Sequence, residues 1–432
     1  MKSGLPFWPI RDGLPGAYPP LTENIDCEVA IIGGGLSGAL VGLHLAEALV
    51  DAVVLDRSDV AGGSTAASTA LIQYEPDLSL HRLGRVIGVE NARRAYQLCH
   101  DALDDLQELC GRLEGNFKFE RTESLLLASR PRDLAGLEKE FSMRLELGHE
   151  MELLTARDLR KRSSLRHPGA LLTRKAAHLD AYAFTHALLA EGRRQGLRVF
   201  DRTAVTGFRK TAGKRFDLFT DRGCKVRARR IVIAAGYESS RYFRRQWGDL
   251  NSTYAIVTEP MKSLPGWPGK AVLWETARPY VYARIADGDR VIIGGYDEPF
   301  QDARRRDALL AAKSRALRRL RAFFPAMRCE TAFAWTGTFA ETKDSLPYIG
   351  QSPEHDPGVY SVLGYGSNGT IFSMLGAQII RDLHLGRKPE AAALRCGTCP
   401  FFKYALFGPL RTRMSTASSG LPRRAAVIAI IG

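Results

Sequence analysis

The sequence contains no apolar run approaching the ~20 residues that cross a bilayer. Its opening, "MKSGLPFWPIRDGLPGAYPP", has no apolar stretch of signal-peptide length. On both counts the chain reads as a cytoplasmic protein. Cysteine is scarce: seven scattered through 432 residues, an odd number, form no disulfide framework and fit a reducing compartment. Cys396 and Cys399 in "CGTCP" have redox or zinc-site spacing, but no second CxxC or histidine pair completes four ligands, so the stretch reads as a loop and no metal is expected. None of the nine histidines stands at a recognisable spacing from a carboxylate, and there is no internal repeat. What is present is 45% hydrophobic content, enough for a large core, in a length that suggests two domains. A formal charge of +14 admits an anionic partner such as nucleic acid or a membrane surface. Eight basic residues fall in 303–326, where Leu309, Leu310, Leu317, Leu320 and Phe324 recur at helical spacing; that segment reads as a helix with a solvated basic face.

The stretch "VAIIGGGLSGALVGLHLAEALVDAVVLDR" organises the amino-terminal part. Residues 27–32 read as a buried strand, 36–49 as a helix and 52–55 as a second strand, a βαβ unit. Gly33, Gly35 and Gly38 spell G-x-G-x-x-G at the strand-to-helix turn. The first allows the tight turn, the second lets a pyrophosphate approach the backbone, and the third lets helix and strand pack closely. With Leu36 and Ser37 they place phosphates at a helix N-terminus, where free N–H groups and the positive dipole end favour anions. Asp56 follows Gly38 by eighteen residues and ends the second strand, the position from which a carboxylate accepts ribose hydroxyls. Arg57 beside it suggests a 2′-phosphate clamp, but Asp56 would repel that phosphate, so a plain adenosine ribose is the better fit.

Nicotinamide and flavin dinucleotides share this fingerprint, and three further stretches select flavin. "GGSTAASTALIQYEPD" (62–77, with Gly63 near its start) carries small and hydroxyl side chains where backbone must pass close to an extended ligand. "RIVIAAGYES" ends a strand on Ala234, Ala235 and Gly236. In "GYGSNGTIFSMLGAQII" a turn with Ser367, Asn368 and Gly369 opens onto a helix starting near Thr370, and a helix N-terminus stabilises the negative charge that develops on a reduced flavin's pyrimidine edge.

At these residues the chain resembles the D-amino-acid oxidase superfamily, in its FAD-dependent branch of glycine, sarcosine and gamma-glutamylputrescine oxidases. The resemblance runs from about Cys27 to His384 and includes "TGTFAETKDSLPYIG". It implies an α/β chain (α+β overall): a Rossmann-like FAD/NAD(P)-binding domain of glutathione-reductase type with an inserted antiparallel or mixed-sheet substrate domain. The dinucleotide domain is expected from 26–80, 160–245 and 330–395 and the substrate domain from 81–159 and 246–329. An N-terminal extension covers 1–25, and a C-terminal tail, packed late or poorly ordered, covers 400–432. The resemblance further implies hydride transfer from the carbon beside an amine to flavin N5, leaving an imine that water hydrolyses. It places Ser64, Thr65, Ser68 and Thr69 along the phosphates and ribityl chain, Ala70 and Leu71 beside the flavin ring, Val205 at the adenine, and Gly366, Asn368, Gly369 and Thr370 at the pyrimidine edge. Sarcosine oxidases carry a lysine where Ile371 stands, which puts an alpha-amino acid held in that way in doubt. No cysteine lies in 337–344, where covalent members attach flavin, so FAD is expected without a covalent link.

Hydride transfer from a neutral amine needs no obligate side-chain base. Tyr254, on the strand "TYAIVTEPM", is the first candidate for substrate contact, against a tyrosine packed in the sheet. Gln73 and Tyr74 are candidates for the same cavity. Lys343 is a candidate for promoting reaction with oxygen or holding an anionic substrate group, against a solvated lysine. The expected partners are a small amine or amino acid and O2 or another electron acceptor. The alternative is an RNA-associated flavoprotein acting on an aminated nucleoside in tRNA modification, marked by steeply salt-dependent binding. A third reading, an electron relay without a small substrate, is excluded if an amine bleaches the flavin anaerobically.

Overall fold

A computed structural model describes residues 2–245, 247–317, 323–324, 327 and 329–389. The CxxC at 396–399, the tail 400–432 and part of the basic stretch lie outside the described residues.

The strand Ile25–Ile32 lies inside an eight-stranded sheet, flanked in parallel by Ala52–Leu55 and Lys225–Ile233. Arg198–Phe200 and Val359–Leu363 extend the parallel run on either side, and Tyr348–Gln351 closes one edge antiparallel. "AVVL" and "IVI" are apolar without alternation because a parallel strand in this position is covered on both faces; every residue of Ala52–Leu55 is buried. The helix Leu36–Glu47 packs against two others, Ala181–Arg194 and Gly369–His384. Nearly all of it is buried, so it shows no sharp polar face.

The second sheet has ten strands, in the order Ser3–Gly4, Thr331–Glu341, Asp249–Thr258, Arg290–Pro299, Val281–Ala286, Val272–Glu275, Glu120–Leu127, Gly169–His178 and Leu71–Gln73, with Met151–Thr155 also on Gly169–His178. All its pairings are antiparallel except Val272–Glu275 on Glu120–Leu127. Three of these strands, Leu71–Gln73, Gly169–His178 and Thr331–Glu341, come from segments expected to serve the dinucleotide domain. They carry the chain from one sheet to the other, and the space between the sheets is the cavity described below.

The first residues are not a loose extension. Ser3 and Gly4 pair with Thr336 and Trp335, and Phe7 and Trp8 are buried in a cluster with Ala61, Ala66 and Trp335. The basic helix Ala303–Leu317 also departs from a simple solvated face. Arg306 is buried and donates to Thr338 Oγ1 at 3.0 Å.

Candidate functional site

The three glycines of the turn hold three different positions. Gly33 has φ +111°, and a Cβ there would stand 2.5 Å from the Ala234 carbonyl oxygen. A Cβ on Gly38 would stand 1.9 Å from the Gly33 carbonyl oxygen, so this glycine seats the helix on the strand and does not line the cavity. Gly35 is open; a Cβ would meet only the Thr65 hydroxyl, at 3.2 Å. Gly35 is also the N-cap of Leu36–Glu47 and offers no capping side chain; the Leu36 N–H donates instead to Thr65 Oγ1 at 3.0 Å. Asp56 accepts from the Gly34 N–H at 2.7 Å and the Ser58 N–H at 2.8 Å. Burial pushes its carboxyl up, against the pull of those two N–H groups. Arg57 is paired with Glu238 at 2.5 Å, an engagement that competes with any phosphate.

The segment after the second strand is held by its carbonyl groups. Trp335 Nε1 donates to Ala67 O at 2.8 Å, Trp8 Nε1 to Ser68 O at 2.7 Å, and Arg284 Nε to Thr69 O at 2.7 Å. Arg284 is buried and also donates to Leu179 O at 3.0 Å. Ala70 takes φ +48°, uncommon for a non-glycine residue, at the bend into Leu71–Gln73. With its outer carbonyls satisfied, the segment presents Ser64, Thr65, Ser68 and Thr69 to the cavity.

The helix Gly369–His384 points its N-terminus into the same space. Its N-cap, Asn368, makes no capping bond and donates through Nδ2 to the Glu75 carbonyl at 3.3 Å. Gly366 has φ +55°, and the Ser367 N–H donates to Asp77 Oδ2 at 3.1 Å. Ser37 Oγ, in the first turn of one helix, and Ser373 Oγ, one turn into the other, lie 2.9 Å apart, which ties the two N-termini side by side. Both open onto one cavity of about 790 Å³.

The opposite wall comes from the ten-stranded sheet. Trp274, Tyr280 and Tyr282 line it, with Thr253, Asp297 and Glu341. The Tyr280 and Tyr282 rings lie 5.6 Å apart. Gly294 makes room for the second of them: a Cβ there would be 2.3 Å from Tyr282 Cζ. Asp297 Oδ1 is enclosed with no hydrogen-bond partner among the described residues. Burial pushes the Asp297 carboxyl up to about 6; the Thr253 hydroxyl opposes this and the Glu341 carboxylate adds to it.

Of the residues singled out from the sequence, Gly33, Gly35, Leu36, Ser37, Asp56, Arg57, Gly63, Ser64, Thr65, Ser68, Thr69, Ala70 and Leu71 line this cavity, as do Gln73, Val205, Ala235, Gly236, Gly366, Gly369 and Thr370. The Val205 carbonyl accepts from the Tyr242 hydroxyl at 2.9 Å. Four others besides Gly38 stand outside the lining. Asn368 is buried beneath the turn it caps. Tyr74 is fully buried behind the wall and accepts from Arg144 Nε at 3.2 Å. Tyr254 is fully buried on the far face of its strand and donates to Glu298 Oε1 at 2.7 Å. Lys343 is exposed. Tyr74 thus does not face the cavity, Tyr254 takes the alternative of a tyrosine packed in the sheet, and Lys343 that of a lysine in solvent. The residues not foreseen are Asp77, Trp274, Tyr280, Tyr282, Asp297 and Glu341. Only the Tyr280/Tyr282 pair had a usable signal, since its spacing of two puts both rings on one face of "YVYARI".

Among the described residues no group of histidine, cysteine and carboxylate side chains could hold a metal ion, and no helix is long and apolar enough to cross a membrane. The family model described as FAD dependent oxidoreductase (DAO) matches residues 28–383. Over 380 residues the chain is 24% identical to gamma-glutamylputrescine oxidoreductase of Escherichia coli (strain K12), covering 85% of this chain and 86% of that one. Glycine oxidase of Geobacillus kaustophilus has the same fold, with a TM-score of 0.70 at 20% identity over 84% of this chain and 96% of that one. L-alpha-glycerophosphate oxidase of Mycoplasma pneumoniae, solved with FAD bound, gives a TM-score of 0.69 at 14% identity, over 83% and 94% of the two chains.

Proposed function

Because the chain belongs to the FAD-dependent oxidoreductase (DAO) family, we propose that it oxidises the C–N bond of an amine or amino acid to an imine, which water then hydrolyses. The observation that carries this reading is that the 33–35 turn and the 366–370 turn, far apart in sequence, line one cavity. Bound FAD supplies the hydride acceptor, flavin N5, and the electron path onward to O2 or another acceptor. The residues present fit it. Gly35 leaves backbone bare at a helix N-terminus suited to a diphosphate, and Asp56 keeps free lone pairs for ribose hydroxyls. The cysteines among the described residues, Cys27, Cys99, Cys110, Cys224 and Cys329, all stand outside the cavity lining, which supports attachment without a covalent link.

The work left to the protein is orientation, exclusion of water and electrostatics. Tyr280, Tyr282 and Trp274 give the substrate half aromatic walls. Asp297, with an unpartnered oxygen, and Glu341 attract an ammonium group into that half. Arg278 and Lys2, also in the lining, are the cations available to a substrate carboxylate. The test is to purify the protein, measure FAD content, and screen polyamines, N-methylated amino acids, glycine and D-amino acids anaerobically for bleaching of the flavin absorbance. Bleaching by one class of amine is expected. A yellow protein that no amine reduces would overturn the reading.

A further inference from the structure

The turn that opens the helix Gly369–His384 holds a negative charge of its own. Asp77 lines the cavity, and its carboxylate accepts hydrogen bonds from both the N–H and the hydroxyl of Ser367. It occupies the space a side chain at position 366 would take: a Cβ on Gly366 would stand 1.9 Å from Asp77 Oδ2. The helix is sixteen residues long, has no acid in its first turn and receives no bond from its N-cap side chain, so nothing within the helix offsets its positive end. A helix N-terminus amounts to about +0.5 of a unit charge. A full carboxylate bonded to the residue before the N-cap exceeds it, and the Asp297 and Glu341 carboxyls, both of which the Asp77 charge pushes up within the same cavity, are of the same sign when ionised. Arg278, the cation that acts on Asp77, lies at an exposed position with its guanidinium 4.8 Å from the Tyr280 ring.

We propose that Asp77 is a positioning and tuning residue whose carboxylate cancels the field of this helix N-terminus at the flavin's pyrimidine edge. The bound flavin is thereby harder to reduce, and a poorer binder of anions, than the helix alone would make it. The proposal rests on the reading that FAD lies with that edge at 366–370. Reduction adds negative charge there, and a carboxylate in the same partly enclosed turn opposes it.

The test uses purified, FAD-loaded protein and Asp77→Asn, which keeps a carbonyl oxygen for the Ser367 N–H and removes the charge. Burial pushes the Asp77 carboxyl up, against its bonds from Ser367, so the comparison is made at mildly alkaline pH; there the substitution is expected to favour the reduced flavin at least tenfold, a rise of about 30 mV for a two-electron couple. Sulfite binding to the oxidised flavin is expected to tighten at least tenfold. Lys343→Met removes a charge outside the cavity lining and is expected to change either quantity less than threefold. If Asp77→Asn loads FAD poorly, Asp77→Ser, which removes the same charge with a smaller polar side chain, is expected to move both quantities in the same direction. Loaded Asp77→Asn or Asp77→Ser protein with unchanged potential and sulfite affinity overturns the role of Asp77 and leaves the oxidoreductase reading standing. Wild-type protein that takes up no FAD overturns both.

Discussion

At the end of the cavity formed by the glycine turn, the wall is mostly backbone: Gly33, Gly35, Gly63, Ala234, Ala235 and Gly236, with Asp56 and Thr65 adding oxygen acceptors. At the end formed by the ten-stranded sheet it is side chains: Trp274, Tyr280, Tyr282, Asp297 and Glu341. The first surface binds through N–H groups and bare Cα positions, so a side chain added at Gly35 would take the ligand's own space. The second binds through shape and charge that can be exchanged one side chain at a time. A fold that hosts many amine substrates on one cofactor needs this division, with a fixed end for what is shared and an adjustable end for what differs.

The sharpest way to break the fixed end is Gly38→Val. The first added carbon would lie 1.9 Å from the Gly33 carbonyl oxygen, and both partners are backbone. Helix and strand must separate, at a cost of about 3 kcal/mol or more. Little folded protein and no flavin absorbance are expected, read by thermal unfolding and visible spectra. A yellow Gly38→Val protein of normal stability would show that the helix is not seated as described.

Asp56→Ala is the next largest. It removes the acceptor of two backbone N–H groups, Gly34 and Ser58, and the group proposed to meet the ribose. Losing charge-assisted bonds of this kind costs about 2 kcal/mol, and FAD affinity is expected to fall roughly 30-fold. Titration of the apoprotein with FAD measures it, and an affinity within threefold of wild type would remove Asp56 from the site.

The fixed end was legible in the sequence because its parts are local. Three glycines within six residues, an apolar strand before them and an acid eighteen residues later are read from a single window. The 366–370 turn was legible for the same reason. The adjustable end was not, because its residues meet only through pairings between distant strands, and because alternation alone does not say which face of a strand meets the cavity. Tyr254 is the first candidate for substrate contact by sequence, yet the residues of its strand that line the cavity are Asn251 and Thr253. Alternation then puts Tyr254 on the opposite face, in the core behind the wall. The same holds for Arg284, Trp8 and Trp335, whose grip on 67–69 comes from three remote segments.

Asp297→Asn sharpens the comparison at the adjustable end. Facing Asp297 are the Thr253 hydroxyl, the Glu341 and Asp77 carboxylates and Arg278, and burial holds its carboxyl at about 6. An amine arriving as an ammonium ion finds the negative partner only above that value. For the wild type, kcat/KM is therefore expected to rise as pH passes upward through about 6, with the inflection belonging to the free enzyme. Asp297→Asn is expected to lose the inflection and roughly tenfold in kcat/KM, a charge-assisted bond's worth. Stability moves the other way. A folded carboxyl raised above its unfolded value contributes fully below about pH 4 and loses that contribution as pH rises through the folded value. Asp297→Asn should thus be more stable than wild type at neutral pH and no more stable in acid, which urea unfolding at the two pH values would show.

The smallest effect is expected at Lys343, and it is informative for that reason. Lys343 stands two residues after Glu341, which reaches the cavity, yet Lys343 itself is exposed and outside the lining. An ammonium group in solvent is screened by water and salt over a few ångströms and exerts little field on an enclosed site. Lys343→Met is therefore expected to leave kcat/KM for the amine, and the rate at which the reduced protein reacts with its acceptor, within about twofold, and stability within about 0.5 kcal/mol. Stopped-flow measurement of both half-reactions separates the two. A loss confined to the reaction with O2 would mean that the lysine swings inward in the reduced protein, and the boundary drawn here between lining and surface would move to include it.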